Sequence, residues 1–171
     1  MSFSAVFACV RVISESIASL PIKVYKVEAD DDKITDISHP IYRLLARNPN
    51  SYMTPYTFLE TLMSNLLLFG NSYFYIERDN SARPISLIPI NPKDVKVIKH
   101  DGQIYYDVKE HDIAVLKEDM LHFFNLSFDG CEGISVLKYQ DTTISTSISS
   151  NDTANSYLGN SANVGGIIKH P

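Results

Sequence analysis

From Thr54 to Gly70 the chain places Phe58, Leu59, Leu62, Met63, Leu66, Leu67 and Phe69 at helical spacings that leave no wide polar face. Thr54 offers a side-chain oxygen to the first free amides of this helix, Pro55 suits the first helical position, and Gly70 is a natural stop. A helix that is apolar on more than one side must lie inside a fold or between subunits. Directly after Gly70 the pattern turns from helical to alternating. Tyr73–Glu77 and Ile85–Ile88 read as strands across an Asp79-Asn80 turn. Val95–Lys99 and Gln103–Val108 flank Asp101-Gly102, a two-residue hairpin signal, and Leu121–Phe124 is a further short strand. These segments predict an α+β fold: a small, mainly antiparallel sheet with long helices packed on it, as a single domain over 1–171.

Upstream, Ser4–Leu20 reads as a helix with Val6, Val10, Ile13 and Ile17 on one stripe, ended by Pro21. Ile22–Val27 alternates like a half-buried strand and leads into Asp30-Asp31-Asp32, whose spacing lacks the glycine and distal Glu of a calcium loop and reads as a solvated turn. His39–Arg47 is a short helix with Ile41, Leu44 and Leu45 on one side, broken by Asn48-Pro49-Asn50. Downstream, Gly130–Gly133 is a loop, Leu137–Leu158 fits a helix despite its Ser- and Thr-rich centre, and Gly165–Ile168 looks like the start of a strand.

Charge and chemistry narrow the function. The 171 residues carry a formal net charge of -5, which does not suit an autonomous phosphate-binding module but does suit a surface that DNA must pass without sticking. Lys93, Lys96 and Lys99 form a basic row that could meet phosphate, yet Asp94, Asp101 and Asp107 share the same hairpin, so a solvated strand face is the simpler reading. Cys9 and Cys131 are too few and too separated for a disulfide framework or a zinc site. The opening MSFSAVFACV has no basic region of a signal peptide, and apolar stretches such as Leu66–Phe69 are far too short to span a membrane. The glycines form no nucleophile elbow, dinucleotide fingerprint or phosphate loop, and the five histidines show no metal-ligand spacing. No catalytic, cofactor-binding or metal-binding residue is expected. The enzymatic alternative would be a hydrolase using Ser72 or Ser135 with His122.

The order of short motifs adds what chemistry does not. Ala5-Val6-Phe7-Ala8-Cys9-Val10-Arg11 runs into Ile17-Ala18-Ser19-Leu20-Pro21-Ile22-Lys23-Val24-Tyr25. His39-Pro40-Ile41-Tyr42-Arg43-Leu44-Leu45 follows, then Asn48-Pro49-Asn50 before Met53-Thr54, and Gly70-Asn71-Ser72-Tyr73. Leu87-Ile88-Pro89-Ile90-Asn91-Pro92 precedes Val95-Lys96-Val97. Met120-Leu121-His122-Phe123, Gly133-Ile134-Ser135 and Gly166-Ile167-Ile168-Lys169-His170-Pro171 complete the series. In this order and spacing, over nearly the whole chain, they resemble the N-terminal, wing portion of tailed-phage portal proteins of the HK97-like type, although Val136 stands where that family often has Pro. Leu20, Pro21, Asn48, Pro49, Gly70, Asn71, Pro89, Pro92, Gly133 and Gly166 carry the likeness.

The resemblance implies a structural subunit of a dodecameric ring at one capsid vertex, in the virion and, during assembly, in the host cytoplasm. It implies contacts with terminase, with the major capsid or scaffold protein and with the head-tail connector, and passage of double-stranded DNA without sequence-specific binding, with no membrane. It also implies that stem, clip and crown elements belong to a longer subunit of which this is a fragment. Surplus apolar surface on Ser4–Leu20 or Thr54–Phe69 is the expected ring contact. The alternative is a small adaptor or binding module that forms no ring.

Overall fold

A computed structural model describes residues 3–28, 32–109 and 114–139. Up to Phe124 the predicted helices and strands are present, with Ile22–Val27 shortened, but the strands divide among three sheets. Helix α1 spans Phe3–Ala18, and strands β1 (Tyr25–Val27) and β2 (Lys33–Thr35) form a two-stranded hairpin. Short helix α2 (Pro40–Ala46) and long helix α3 (Pro55–Phe69) precede β3 (Asn71–Arg78) and β4 (Pro84–Ile90). Strands β5 (Val95–His100), β6 (Gln103–Val108) and β7 (Val115–Leu116) follow, then β8 (Met120–Phe124) and a helical turn, α4 (Val136–Tyr139). One antiparallel sheet has the order β4-β3-β8 and the other β5-β6-β7.

Strand β3 is the centre of the fold because its two faces serve two cores. Phe74, its cross-strand partner Leu121 and Leu87, which pairs with Ile76, face the helices, where Phe58, Leu62 and Leu44 cover them. Tyr73, on the opposite face with Ile90 and Met120, meets Tyr106 and Val108 of the second sheet. The Phe58 and Phe74 rings lie 4.4 Å apart, an offset contact that adds to the burial of both. The layers therefore run helices, sheet β4-β3-β8, sheet β5-β6-β7.

Helix α3 starts and stops as its sequence predicts. The Thr54 hydroxyl accepts from the Thr57 amide, the Thr57 hydroxyl accepts from the Thr54 amide, and Gly70 closes the helix at φ 78°. Its all-round apolar character is accounted for inside the chain: the sheet lies on one side, α1 on another and α4 at its end, and Tyr56 is its only exposed residue. The Asp101-Gly102 turn also forms, with both residues at positive φ.

Helix α1 corrects the predicted stripe. Ile13 and Ile17 are exposed, and the residues buried against α3 are Ser14 and Ala18, with Val6 and Val10 half-buried beside them. Small side chains allow the two helices to approach closely, and the Ser64 hydroxyl bonds to that of Ser14 at 3.2 Å. The second correction concerns Ile22–Val27. Only Tyr25–Val27 is strand, and every residue of β1 and β2 is exposed rather than half-buried. The predicted Leu137–Leu158 helix lies outside the described residues beyond Tyr139, as do the strand at Gly165–Ile168 and Asp30-Asp31.

Candidate functional site: a locked junction and exposed apolar faces

Two of the motifs meet where α3 turns into β3. Gly133 returns to the Gly70-Asn71 corner, and the polar groups pair reciprocally. The Gly133 amide donates to Asn71 Oδ1 at 2.7 Å, and Asn71 Nδ2 donates to the Gly133 carbonyl at 2.8 Å. This two-way pairing fixes the orientation of the Asn71 amide. The Asn125 amide donates to the Gly70 carbonyl at 2.8 Å, and Ser135 Oγ donates to the Leu68 carbonyl at 2.7 Å. The backbones are so close that a side chain on Gly70 would overlap Ile134, and one on Gly133 would overlap the Gly70 carbonyl.

His122 completes the junction. Asn71 Oδ1 can only accept, so His122 Nε2 carries the hydrogen and donates to it at 3.0 Å. Nδ1 is left to accept from the Tyr106 hydroxyl at 3.3 Å. The imidazole stacks on Tyr73 with ring centroids 4.3 Å apart and meets Tyr106 edge-on. Burial lowers the His122 pKa to about 4 and pushes the Tyr73 phenol upward.

A histidine kept neutral in the fold binds its proton more readily when unfolded. Its contribution to stability is complete above the unfolded value near 6.5 and is lost as pH falls toward 4. The ring is only partly buried, so the loss should be about 1–2 kcal/mol rather than the full value of the shift. Urea unfolding at pH 7 and pH 4.5 should show that decline, and His122→Gln should flatten it; an undiminished decline in the variant would rule the imidazole out as its source. The Asp129 carboxyl does not confuse this window. Lys99, the amides of Cys131 and Glu132 and the Ser127 hydroxyl hold it well below the usual carboxylate range, so its effect appears only at lower pH.

A second lock lies at the other end of the sheet. The Leu87 amide of edge strand β4 donates to the Pro49 carbonyl at 2.8 Å, and Asn50 Nδ2 donates to the Leu87 carbonyl at 2.8 Å. Asn50 Oδ1 accepts from the amides of Tyr52 and Met53. The Asn48-Pro49-Asn50 motif thus closes a strand edge that would otherwise offer free backbone groups. Pro89, two residues beyond Leu87, occupies an outward-facing position of the same edge, where a missing amide costs little. Pro92 opens a short 3-10 turn for which the Asn91 side chain accepts from the Lys93 amide. Leu20 and Pro21 sit at the exit of α1, with Leu20 exposed. Gly166 lies outside the described residues.

The serine and histidine of the enzymatic alternative are not brought together. Ser72 is buried on the helix face of β3, its hydroxyl without a partner, whereas His122 faces the second sheet and uses both ring nitrogens. Ser135 caps the start of α4, its hydroxyl also accepting from the Lys138 amide. Among the described residues no cluster of three or more His, Cys, Asp and Glu side chains could hold a metal, and no helix is long and apolar enough to cross a membrane. The basic row is largely engaged: Lys99 pairs with Asp129 at 2.8 Å, and Lys93 lies over the Phe69 ring. Lys109, which the sequence did not single out, pairs with Asp94.

The arrangement is that of a rigid packing unit, in which the motif residues tie backbone to backbone. Its sequence matches the family described as phage portal protein over residues 4–171, and the chain belongs to that family. It is 28% identical over 165 residues to the portal protein of Enterobacteria phage HK97, covering 95% of this chain and 39% of that protein. The fold is similar to the crystal structure of an HK97 family phage portal protein from Corynebacterium diphtheriae, with a TM-score of 0.64, 18% identity and coverage of 91% of this chain and 47% of that one. It is also similar to a chain in the neck of a native GTA particle computed with C12 symmetry, with a TM-score of 0.69, 18% identity and coverage of 96% and 42%. The chain therefore spans about two fifths of the length of the HK97 portal protein.

Proposed function

We propose that this chain is the wing portion of a portal ring subunit, a structural and non-catalytic part of the vertex through which DNA enters and leaves the capsid. The observation that carries the reading is the family match over residues 4–171, whose motif residues here build locked joints instead of a reactive cleft. The C12 symmetry of the GTA neck supports a twelve-membered ring for the full-length protein. A wedge repeated around a ring must hold its shape, and the two cores on either side of β3, locked at both ends, supply that rigidity. In this role the full-length subunit meets terminase, the capsid or scaffold protein and the head-tail connector. It resides at the portal vertex of the virion after assembling in the host cytoplasm. Double-stranded DNA passes without sequence-specific contact, which agrees with the charge of -5 and with the engaged lysines of the β5–β6 hairpin.

Negative-stain electron microscopy of the full-length gene product tests this directly. Rings with a central hole are expected, with this chain at the periphery. A clean monomer or dimer of a protein little longer than 171 residues would overturn it in favour of an adaptor module.

A further inference from the structure

Among the described residues of the 3–37 segment none belongs to either core cluster, yet large apolar side chains are frequent there. Among the described side chains of α1 only Ser14 and Ala18 are buried, while Phe7 is 67% exposed and Leu20, just beyond the helix, 57%. Among the described residues the β1–β2 hairpin pairs only with itself, and Val27 and Ile34 remain 58% and 53% exposed, one on each of its faces. A two-stranded hairpin with no third strand or helix against it is marginal in water. The apolar side chains exposed between Phe7 and Ile37, spread over α1 and both faces of the hairpin, total on the order of 800 Å², comparable to the ~800 Å² that each partner gives to a standard interface. Helix α1 lies on α3 through small side chains, so its large apolar residues and those of the hairpin are left facing outward.

We infer that the arm formed by the α1 helix and β1–β2 hairpin, residues 3–28 and 32–37, packs on a second copy of this chain, and that its seat there is the β8 edge and the loop that follows it. The inference rests on the ring reading above. A ring closes through heterologous contacts, in which one face of a subunit meets a different face of its neighbour. The second face is present. Strand β8 lies at the edge of its sheet, with no strand beyond it among the described residues, and the segment leaving it exposes Phe124, Leu126 at 68% and Phe128 at 79%. The opposite edge, β4, is closed by Pro49 and Asn50, so the two edges of one sheet are treated differently. The closed edge is protected from strand pairing, whereas the open one carries an apolar border suited to a neighbour's arm.

The test uses the full-length protein with Cys9→Ser and Cys131→Ser, and Val27→Cys labelled with a benzophenone maleimide. Light- and heavy-isotope subunits are mixed during assembly, rings are confirmed by electron microscopy, and the sample is irradiated. The expected product has twice the chain mass or more, and its cross-linked peptides join Val27 of one isotope to the 124–136 segment of the other. In parallel, Leu126→Glu should weaken ring assembly at least about tenfold while leaving the melting temperature of the subunit unchanged, because Leu126 is exposed in the single chain. Rings whose cross-links stay within one chain, or reach a neighbour elsewhere, overturn this inference and leave the ring reading intact. A sample without rings overturns both.

Discussion

Gly133→Ala is expected to destabilise the fold by at least about 3 kcal/mol, a drop of roughly 10 °C in melting temperature for a chain of this size. An added methyl would sit inside the contact distance of the Gly70 carbonyl and the Asn125 amide. Both neighbours are backbone, so no rotamer change can make room. The loop must withdraw, and withdrawal breaks the two bonds between Gly133 and Asn71 as well as the bond from the Asn125 amide to the Gly70 carbonyl. Gly130 is the control. It has φ 71° but open space around the position of a side chain, so Gly130→Ala should cost only about 1 kcal/mol, the strain of a left-handed backbone. Urea unfolding of the three proteins separates the two causes. Gly133 has no positive φ, so a loss there no larger than at Gly130 would mean that the loop yields to the added methyl and that the close approach to Gly70 is not a strict requirement.

The same junction shows what could be read from the sequence and what could not. Helix α3 was legible end to end, because Thr54, Pro55 and Gly70 act through local geometry and the apolar spacing is long enough to be unambiguous. The Asp101-Gly102 hairpin was legible for the same reason. The stripe on α1 was misread because the contact with α3 selects small residues, Ser14 and Ala18, which a search for large apolar side chains passes over. The division of the strands into separate sheets was hidden too. Strand β8 pairs with β3 across about forty residues of intervening chain, and a period-2 pattern gives the face of a strand but not its partner.

Among the motif residues, Gly70 is also legible as a helix stop, whereas Asn71 carries family likeness alone, and nothing local predicts that positions 71 and 133 exchange hydrogen bonds. His122 carried a usable signal. A histidine in an apolar strand needs a partner for each nitrogen, and Asn and Tyr are the neutral side chains suited to supply one acceptor and one donor.

Asn71→Ala should remove about 3 kcal/mol of stability, because it strands several buried groups at once. The Gly133 amide and carbonyl lose their partners, and so does His122 Nε2. Each unpaired buried group costs about 1–3 kcal/mol, but the three share one side chain and relax together, so their costs do not simply add. Asn71→Asp separates donor from acceptor. Aspartate can still accept from the Gly133 amide and from His122, but it cannot donate to the Gly133 carbonyl, and its charge is buried beside that carbonyl. It should therefore be destabilising as well, and its carboxylate should raise the pKa of His122 from about 4 toward the ordinary range. The imidazole C–H signals followed through a pH titration of the Asp variant read that shift. If Asn71→Ala cost less than 1 kcal/mol, the junction would be held by the packing of Tyr73, Tyr106 and His122, and the reciprocal amide pair would be a consequence of the fold and not one of its causes.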